Sequence, residues 1–175
     1  MIGSVHNVPY KKDVEGNILY TDPAAEKLFT DRTDKEAYRL MMETTLENVR
    51  TSDCFQTLGH LDYVVRYGKS REKEYSYTDY ADIIDEILKL LIEKEKGLEV
   101  NSAGLKYGLP FVHPHPDVLK RYRELGGEII TIGADAHKPE HIAYDFAKAE
   151  EILKSCGFKY YTEFFEQKPV FKQLI

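Results

Sequence analysis

The chain has 175 residues, of which 42% are hydrophobic and 31% are charged, and its formal net charge is −6. This length is sufficient for one domain with a hydrophobic core, and the composition predicts a soluble globular protein. The acidic balance argues against nucleic-acid binding, which requires a basic surface. No apolar stretch reaches the ~18 residues of a membrane span. We therefore expect no membrane partner. The two cysteines have neither metal-binding nor disulfide spacing, so we expect a protein of the reducing cytoplasm.

Hydrophobic periodicity predicts strands that alternate with helices along the chain. The predicted strands, in chain order, are residues 2–5, 55–59, 98–101, 128–132 and 158–162. The predicted helices are residues 33–50, capped by Thr33 or Asp34, residues 78–96, capped by Thr78, residues 116–125 and residues 139–155. Residues 7–32 are rich in Asp, Asn, Pro and Lys and are predicted to form a long surface loop. The order of elements is typical of a single α/β domain with a parallel sheet covered by helices.

Polar side chains follow four of the predicted strands at the point where each strand ends. They are His6 after IGSV, His60 and Asp62 after FQTLG, Asn101 after LEV, and Asp135 and His137 after IITIG. Because the carboxyl ends of parallel strands meet at one edge of a sheet, we expect these groups to converge. Neutral imidazole and carboxylate together suit Zn, Mn or Fe, so the pattern predicts a metal site.

The other histidines and the common nucleophile motifs contribute less to this prediction. His113 and His115 lie in the segment VHPHPD, which we interpret as a surface loop, and His141 is interpreted as structural. The chain contains no Gly-rich phosphate loop and no Gly-x-Ser-x-Gly elbow. Metal-assisted hydrolysis is therefore the chemistry that the sequence favours.

Four segments together resemble one known family. They are IGSVHN at 2–7, LGHLDYVVRYG at 58–68, LEVNSAGLKYG at 98–108 and IGADAHKPEHIAYDFAKAEEILKSCGF at 132–158. In this order they resemble the histidinol-phosphatase branch of the polymerase and histidinol phosphatase (PHP) family. The resemblance implies a distorted (βα)7 barrel with up to three divalent metal ions at the strand carboxyl ends. It also implies hydrolysis of L-histidinol phosphate to L-histidinol and phosphate, in histidine biosynthesis.

The resemblance implies a role for each of four candidate metal ligands. His6 and His60 are implied to bind one metal, Asp135 to bind a second metal and His137 to bind a third. Asp135 and His137 are also the candidates for catalytic proton transfer to the leaving group.

Three further residues are implied to contact the substrate or to shape its site. Arg66 and Lys106 resemble clamps for the substrate phosphate, and Asn101 is implied to shape the floor of the site. The family often has arginine where this chain has Lys106. Because lysine is a point charge and cannot form a bidentate fork, Lys106 is the weaker of the two clamps.

The chain also departs from the family pattern. The family's opening His-x-His motif, a later histidine and a metal-bridging glutamate are missing, so we expect fewer metals than in the intact site. Residues 1–175 are therefore expected to be the C-terminal two-thirds of a PHP-type phosphatase domain, a partial barrel that lacks the first βα units.

This expected truncation predicts a partner besides a small phosphate-ester substrate. The open sheet edges of a partial barrel predict a homo-oligomer or a complementing N-terminal segment. Two alternatives stay open at this point. One is another phosphoesterase of the family, acting on nucleotides or DNA ends, and the other is a non-catalytic fragment that requires the missing segment.

Overall fold

A computed structural model describes residues 1–175, with strands and helices arranged around one cluster of 37 buried hydrophobic residues. The strands are β1 (Ile2–Gly3), β2 (Val8–Lys12), β3 (Ile18–Thr21), β4 (Thr57–Leu58), β5 (Gly97–Asn101), β6 (Ile130–Gly133), β7 (Tyr160–Phe165) and β8 (Lys168–Gln173). The α-helices are α1 (Asp34–Thr51), α2 (Ala81–Glu93), α3 (Ala103–Lys106), α4 (Pro116–Glu124) and α5 (Phe146–Ser155). None of the helices combines the length and the apolar character needed to span a bilayer.

The main sheet is parallel and has four strands in the order β1–β4–β5–β6. All five residues of β5 are buried, as expected for a parallel strand that is covered on both faces. The predicted α/β class with a parallel sheet is therefore confirmed. Since the strands are parallel, the residues that follow β1, β4, β5 and β6 lie at the same edge of the sheet.

Helix α1 begins at the predicted capping residue. The Thr33 hydroxyl accepts a hydrogen bond from the Glu36 backbone N–H, and the Glu36 carboxylate accepts one from the Thr33 backbone N–H. The predicted cap at Thr78 is wrong, because Tyr77–Tyr80 form a 3₁₀ turn and α2 begins after them without a side-chain cap. Buried residues of α1 and α2 face each other and supply much of the core.

Residues 7–32 are not the irregular loop that their composition predicted. β2 and β3 form an antiparallel hairpin, and residues Glu26–Phe29 form a 3₁₀ helix with a buried Leu28. The turn of the hairpin contains Gly16 at φ +88°, a conformation that glycine adopts without steric cost. Val8 is fully buried at the base of the hairpin, so this segment is held against the core.

The C-terminal third also differs from the prediction in two places. Pro139–His141 form a 3₁₀ turn, and α5 begins only at Phe146, so the helix is shorter than predicted. β8 was not predicted, and it pairs with β7 in a second hairpin. The turn of that hairpin uses Glu166 and Gln167 at positive φ in place of the usual Asn-Gly, which removed the sequence signal.

We predict that Leu91→Ala lowers the free energy of unfolding by about 2–5 kcal/mol, because Leu91 lies on the buried face of α2 and is fully enclosed by the core. The measurement is urea unfolding followed by circular dichroism. Ile142→Ala is the matched control, because Ile142 is 72% exposed, and its effect should stay within about 0.5 kcal/mol. Equal losses in the two variants would contradict this description of the core.

Candidate active site

Two histidines meet at the carboxyl edge of the main sheet. The rings of His6, three residues after β1, and His60, two residues after β4, have centroids 5.0 Å apart in an edge-to-face arrangement. His60 is buried, whereas half of the His6 side chain is exposed. His60 also has a left-handed backbone with φ 26°, which is uncommon outside functional sites and tight turns. The strand-end pattern therefore brings these two predicted ligands together.

Asp135 and His137 form a second pair beyond the end of β6. Asp135 Oδ1 lies 3.2 Å from His137 Nε2, and Asp135 Oδ2 lies 3.8 Å from Arg66 Nη1. Asp135 is mostly buried and has a left-handed backbone with φ 47°, whereas the His137 side chain is 74% exposed. The pair thus stands at the rim of the site, with the arginine on the other side of the carboxylate.

Arg66 is held in an aromatic surrounding. Its guanidinium carbon lies 5.3, 4.9 and 4.5 Å from the ring centroids of Tyr63, Tyr67 and Tyr107. Cation–π attraction to tyrosine rings at these distances stabilises a guanidinium that is largely removed from water. The side chain is only 11% exposed, so Arg66 presents a nearly fixed positive charge beside Asp135.

Lys106 lies on α3, and its side chain extends to the loop after β6 that carries Asp135. Its ammonium donates hydrogen bonds to the backbone carbonyls of Ala134 and Asp135, at 3.0 and 2.8 Å. Burial lowers the pKa of Lys106, and the nearby charge of Asp135 opposes that shift. Lys106 therefore holds the loop that carries Asp135 and also leaves a positive charge at the site.

A buried glutamate, which the sequence analysis did not single out, forms the floor. Glu99 Oε2 accepts hydrogen bonds from the His60 backbone N–H and from the Asn101 side-chain amide, both at 3.0 Å. Burial raises the pKa of Glu99. A Cβ at Gly133 would come within 2.1 Å of Glu99 Oε1, so only glycine leaves room for the carboxylate at this position. The Asn101 side-chain amide thus holds the Glu99 carboxylate, and its side-chain Oδ1 accepts from the Ala103 backbone N–H. The role of Asn101 at the floor of the substrate site stays a prediction.

A second buried network corrects the interpretation of VHPHPD as a surface loop. Asp62 and His113 are fully buried, and Asp62 Oδ1 lies 2.6 Å from His113 Nδ1. The other carboxylate oxygen accepts from the Tyr75 hydroxyl at 2.9 Å and from the His115 backbone N–H at 2.7 Å. His113 also exchanges two backbone hydrogen bonds with Asn101. The prediction was wrong for His113, because Pro-rich segments usually lie on the surface, whereas this one closes over a carboxylate. The His115 side chain is 26% exposed.

The environment of His60 favours the neutral imidazole. Burial lowers the pKa of His60 to about 4, and the charges of His6 and His113 act in the same direction. Its Nδ1 is buried and has no hydrogen-bond partner in the protein. A neutral imidazole with an unpartnered nitrogen is what a metal ligand requires.

The candidate ligands fit a divalent metal in their chemistry, but they do not complete a site. Imidazole nitrogens and a carboxylate are suitable donors for zinc and similar ions, and the unpartnered His60 Nδ1 is consistent with that use. No three histidine, cysteine, aspartate or glutamate side chains lie close enough together to hold one ion. The four ligands predicted from the sequence are therefore arranged as two pairs, and their roles stay predictions.

Comparison with known proteins identifies the family. Residues 1–103 match the model of the PHP domain. The chain belongs to the PHP domain family. Two curated relatives are both described as a probable histidinol-phosphatase. The protein from Clostridium acetobutylicum is 32% identical over 168 residues, which cover 96% of this chain and 61% of the relative. The protein from Thermotoga maritima is 40% identical over 109 residues, which cover 61% of this chain and 43% of the relative.

A solved structure agrees with this assignment to the PHP domain family. The crystal structure of histidinol phosphate phosphatase from Lactococcus lactis, in complex with zinc, L-histidinol and phosphate, superposes with a TM-score of 0.73 at 29% identity. The superposition covers 97% of this chain and 60% of that one. The chain thus spans about three fifths or less of the length of these relatives.

We predict that Asp62→Ala lowers the free energy of unfolding by about 3–5 kcal/mol, because it leaves the buried His113 and Tyr75 side chains without their partner. Urea unfolding measures the loss. Asp117→Ala is the control, because Asp117 lies 3.5 Å from His115 but is 65% exposed. Its cost should be about 1 kcal/mol or less. Equal urea midpoints for the two variants would show that the Asp62 network contributes little stability, and would contradict the prediction.

We also predict that His60 stays neutral in metal-free protein when the pH falls from about 7 to about 5.5, because its pKa is about 4. The imidazole C2 proton resonance, assigned by its loss in His60→Gln, should not shift over this range. In the unfolded chain this histidine titrates near 6.5. The unfolded state then binds a proton that the folded state does not, so the fold loses stability as the pH falls from about 6.5 towards 4. A resonance with a midpoint above pH 6 would contradict the prediction.

Proposed function

We propose that this chain carries the substrate-phosphate clamp and part of the metal centre of a phosphatase that converts L-histidinol phosphate to L-histidinol and phosphate. The observation that supports this most is the meeting of a His–His pair, an Asp–His pair and a fixed arginine at one edge of the sheet. Likeness to a structure that contains zinc, L-histidinol and phosphate supports the choice of substrate. The reaction would belong to histidine biosynthesis in the cytoplasm.

Binding of the phosphate group is the first role that we assign. Arg66 has a guanidinium fork that matches two phosphate oxygens, and its tyrosine surrounding keeps that fork in one orientation. Lys106 adds a second positive charge on the same side, although its ammonium is already bonded to two carbonyls. We therefore expect Arg66 to contribute more to phosphate affinity than Lys106.

Metal binding is the second role. The proposed ligands are His6 and His60 for one ion, Asp135 for another and His137 for a third, and the ions are divalent Zn, Mn or Fe. Such ions, when bound, supply Lewis acidity, which makes water a better nucleophile near neutral pH. The buried, neutral His60 is suited to ligation because the imidazolium form is strongly disfavoured there.

Proton transfer to the leaving group is the third role. His137 is exposed at the rim, and its Nε2 lies 3.2 Å from Asp135 Oδ1. The carboxylate therefore orients the imidazole. We propose that Asp135, through water, gives a proton to the departing alcohol oxygen while His137 binds metal, and that His137 Nε2 takes this role only when His137 binds no metal.

The two separate pairs of donors suggest that the centre needs ligands from outside these 175 residues. No three donors converge within the chain, and the chain covers only part of its relatives. We propose that the missing ligands come from a complementing segment, for which an N-terminal one is the candidate, or from a second copy of the chain. A non-catalytic chain that becomes active only after such completion is the second candidate function.

We predict that His60→Ala and Asp135→Ala each lower phosphate release from L-histidinol phosphate by at least about 1,000-fold, because each removes a proposed ligand and Asp135 also orients His137. The assay measures phosphate from chain supplied with Zn, Mn or Fe. Asp82→Ala is the control, because Asp82 is exposed on α2 and pairs with Arg39. Its activity should equal that of the wild type.

The same assay decides between the candidate functions. If wild-type chain is inactive alone but gains activity with a complementing segment, the second candidate function is correct. Turnover that survives both ligand substitutions would overturn the proposed metal centre. Faster release from a nucleotide than from L-histidinol phosphate would overturn the proposed substrate.

A further inference from the structure

The β2–β3 hairpin places an additional carboxylate beside the candidate site. β2 begins two residues after His6, and Val8 pairs with Thr21, the last residue of β3. Asp22 therefore lies alongside the residue that follows His6. Its Oδ2 is 3.7 Å from His6 Nδ1. The sequence analysis assigned no role to Asp22, because it treated residues 7–32 as one loop.

One oxygen of Asp22 is fixed by the protein and the other is free. Oδ1 accepts a hydrogen bond from the Ala24 backbone N–H at 2.7 Å, which holds the carboxylate in one orientation. Oδ2 accepts no hydrogen bond from the protein, since 3.7 Å to His6 exceeds hydrogen-bond distance. No lysine or arginine forms an ion pair with Asp22, and its side chain is 45% exposed. The free oxygen can therefore receive a donor from a bound molecule.

Tyr63 relates this carboxylate to the positive side of the site. The Tyr63 ring centroid lies 5.3 Å from the His6 ring, and the Arg66 guanidinium carbon lies 5.3 Å from the same centroid. The Tyr63 hydroxyl lies 3.5 Å from His6 Nδ1, the same nitrogen that Asp22 Oδ2 approaches to 3.7 Å. The site thus has a positive group at Arg66 and a negative group at Asp22, and Tyr63 lies between Arg66 and His6, the neighbour of Asp22.

A molecule that carries both a phosphate and a primary ammonium has one charged group for Arg66 and one for Asp22. We propose that Asp22 Oδ2 binds the ammonium group of an amino-alcohol phosphate whose phosphate is bound by Arg66. This inference rests on the proposed function and extends it, because it identifies a residue that distinguishes the amino alcohol from other phosphate esters. Asp22 then determines specificity, while the metal ligands and Arg66 act on any phosphomonoester.

The competing explanation is that Asp22 only orients His6. Carboxylates often fix the ring of a metal-binding histidine, and the loss of such a partner weakens the binding of metal and of every substrate. Recognition of an ammonium predicts a different result, since only ligands that carry the amino group are affected. A pair of ligands that differ in that group alone therefore separates the two roles.

The test measures dissociation constants by calorimetry on the zinc-supplied full chain. The ligands are L-histidinol, the analogue in which hydrogen replaces its amino group, and inorganic phosphate. We expect wild-type protein to bind L-histidinol about 10–100-fold more tightly than the analogue, as is typical of a charged hydrogen bond. Asp22→Asn should abolish this preference and leave phosphate binding unchanged, because the amide keeps the shape and loses the charge.

Two further variants serve as controls. Asp22→Glu keeps the charge and should retain part of the preference. Asp31→Asn removes an exposed carboxylate of the same segment, and it should behave as wild type. The preference is read as a ratio of two ligands for each variant, so a partial loss of folded protein does not change it.

Three results would overturn the inference. In the first, Asp22→Asn keeps the preference for the amino group. In the second, Asp22→Asn weakens all three ligands equally, which assigns Asp22 to the orientation of His6. In the third, wild-type protein binds L-histidinol and the analogue equally. If phosphate is released from L-histidinol phosphate in these cases, the proposed function stands without this role for Asp22. Wild-type protein that neither binds phosphate nor releases it from L-histidinol phosphate contradicts the proposed function itself.

Discussion

The buried carboxylate of Asp62 is the constraint on which the site depends. It accepts three hydrogen bonds from two separate parts of the chain: one from the Tyr75 hydroxyl, and two from the segment VHPHPD, through the His113 ring and the His115 backbone N–H. A buried charge is tolerated only when its oxygens are hydrogen-bonded, so these partners are necessary and not incidental. Asp62 lies two residues after His60 and four before Arg66. By fixing Asp62, the network also fixes the turn that carries a candidate metal ligand and the candidate phosphate clamp.

Around this turn, each charged side chain lies beside a specific partner. Glu99 below the site bonds the backbone of His60, and Asp135 at the rim lies between Arg66 and His137. The left-handed backbone of His60 and of Asp135 is unfavourable by about 1–3 kcal/mol for each residue unless its surroundings stabilise it. Here Glu99 supports the first and Lys106 supports the second through backbone hydrogen bonds. The geometry of the site is thus maintained by Glu99, which does not contact the substrate in our proposal, and by Lys106, which also adds a positive charge near the phosphate.

The sequence predicted those features that depend on periodicity and on position at a strand end. The parallel sheet and the capping of α1 by Thr33 were correct, and the strand-end rule brought His6 to His60 and Asp135 to His137. The Lactococcus lactis structure supports the family resemblance beyond these local motifs. Such patterns are local, and the constraint that makes them informative is the common edge of a parallel sheet.

The features that the sequence did not reveal depend on contacts between distant segments. His113 lies 51 residues from Asp62, and nothing in VHPHPD indicates that its first histidine is buried against a carboxylate. Glu99 was overlooked because a charged residue in an apolar strand carries no motif, although the space left by Gly133 accommodates it. Both hairpins were missed because their turns lack the Asn-Gly signal, and Asp22 was missed with the first of them.

The central claim is that histidines at the strand ends bind a divalent metal, and X-ray absorption at the zinc edge tests it most directly. We predict that zinc-loaded chain shows nitrogen and oxygen neighbours at about 2.0–2.1 Å, with outer-shell scattering from imidazole rings that decreases in His60→Ala. Scattering from sulfur at about 2.3 Å would instead place the zinc on a cysteine, either Cys54 or Cys156. That result, or a spectrum without imidazole that is unchanged in His60→Ala, would contradict the claim.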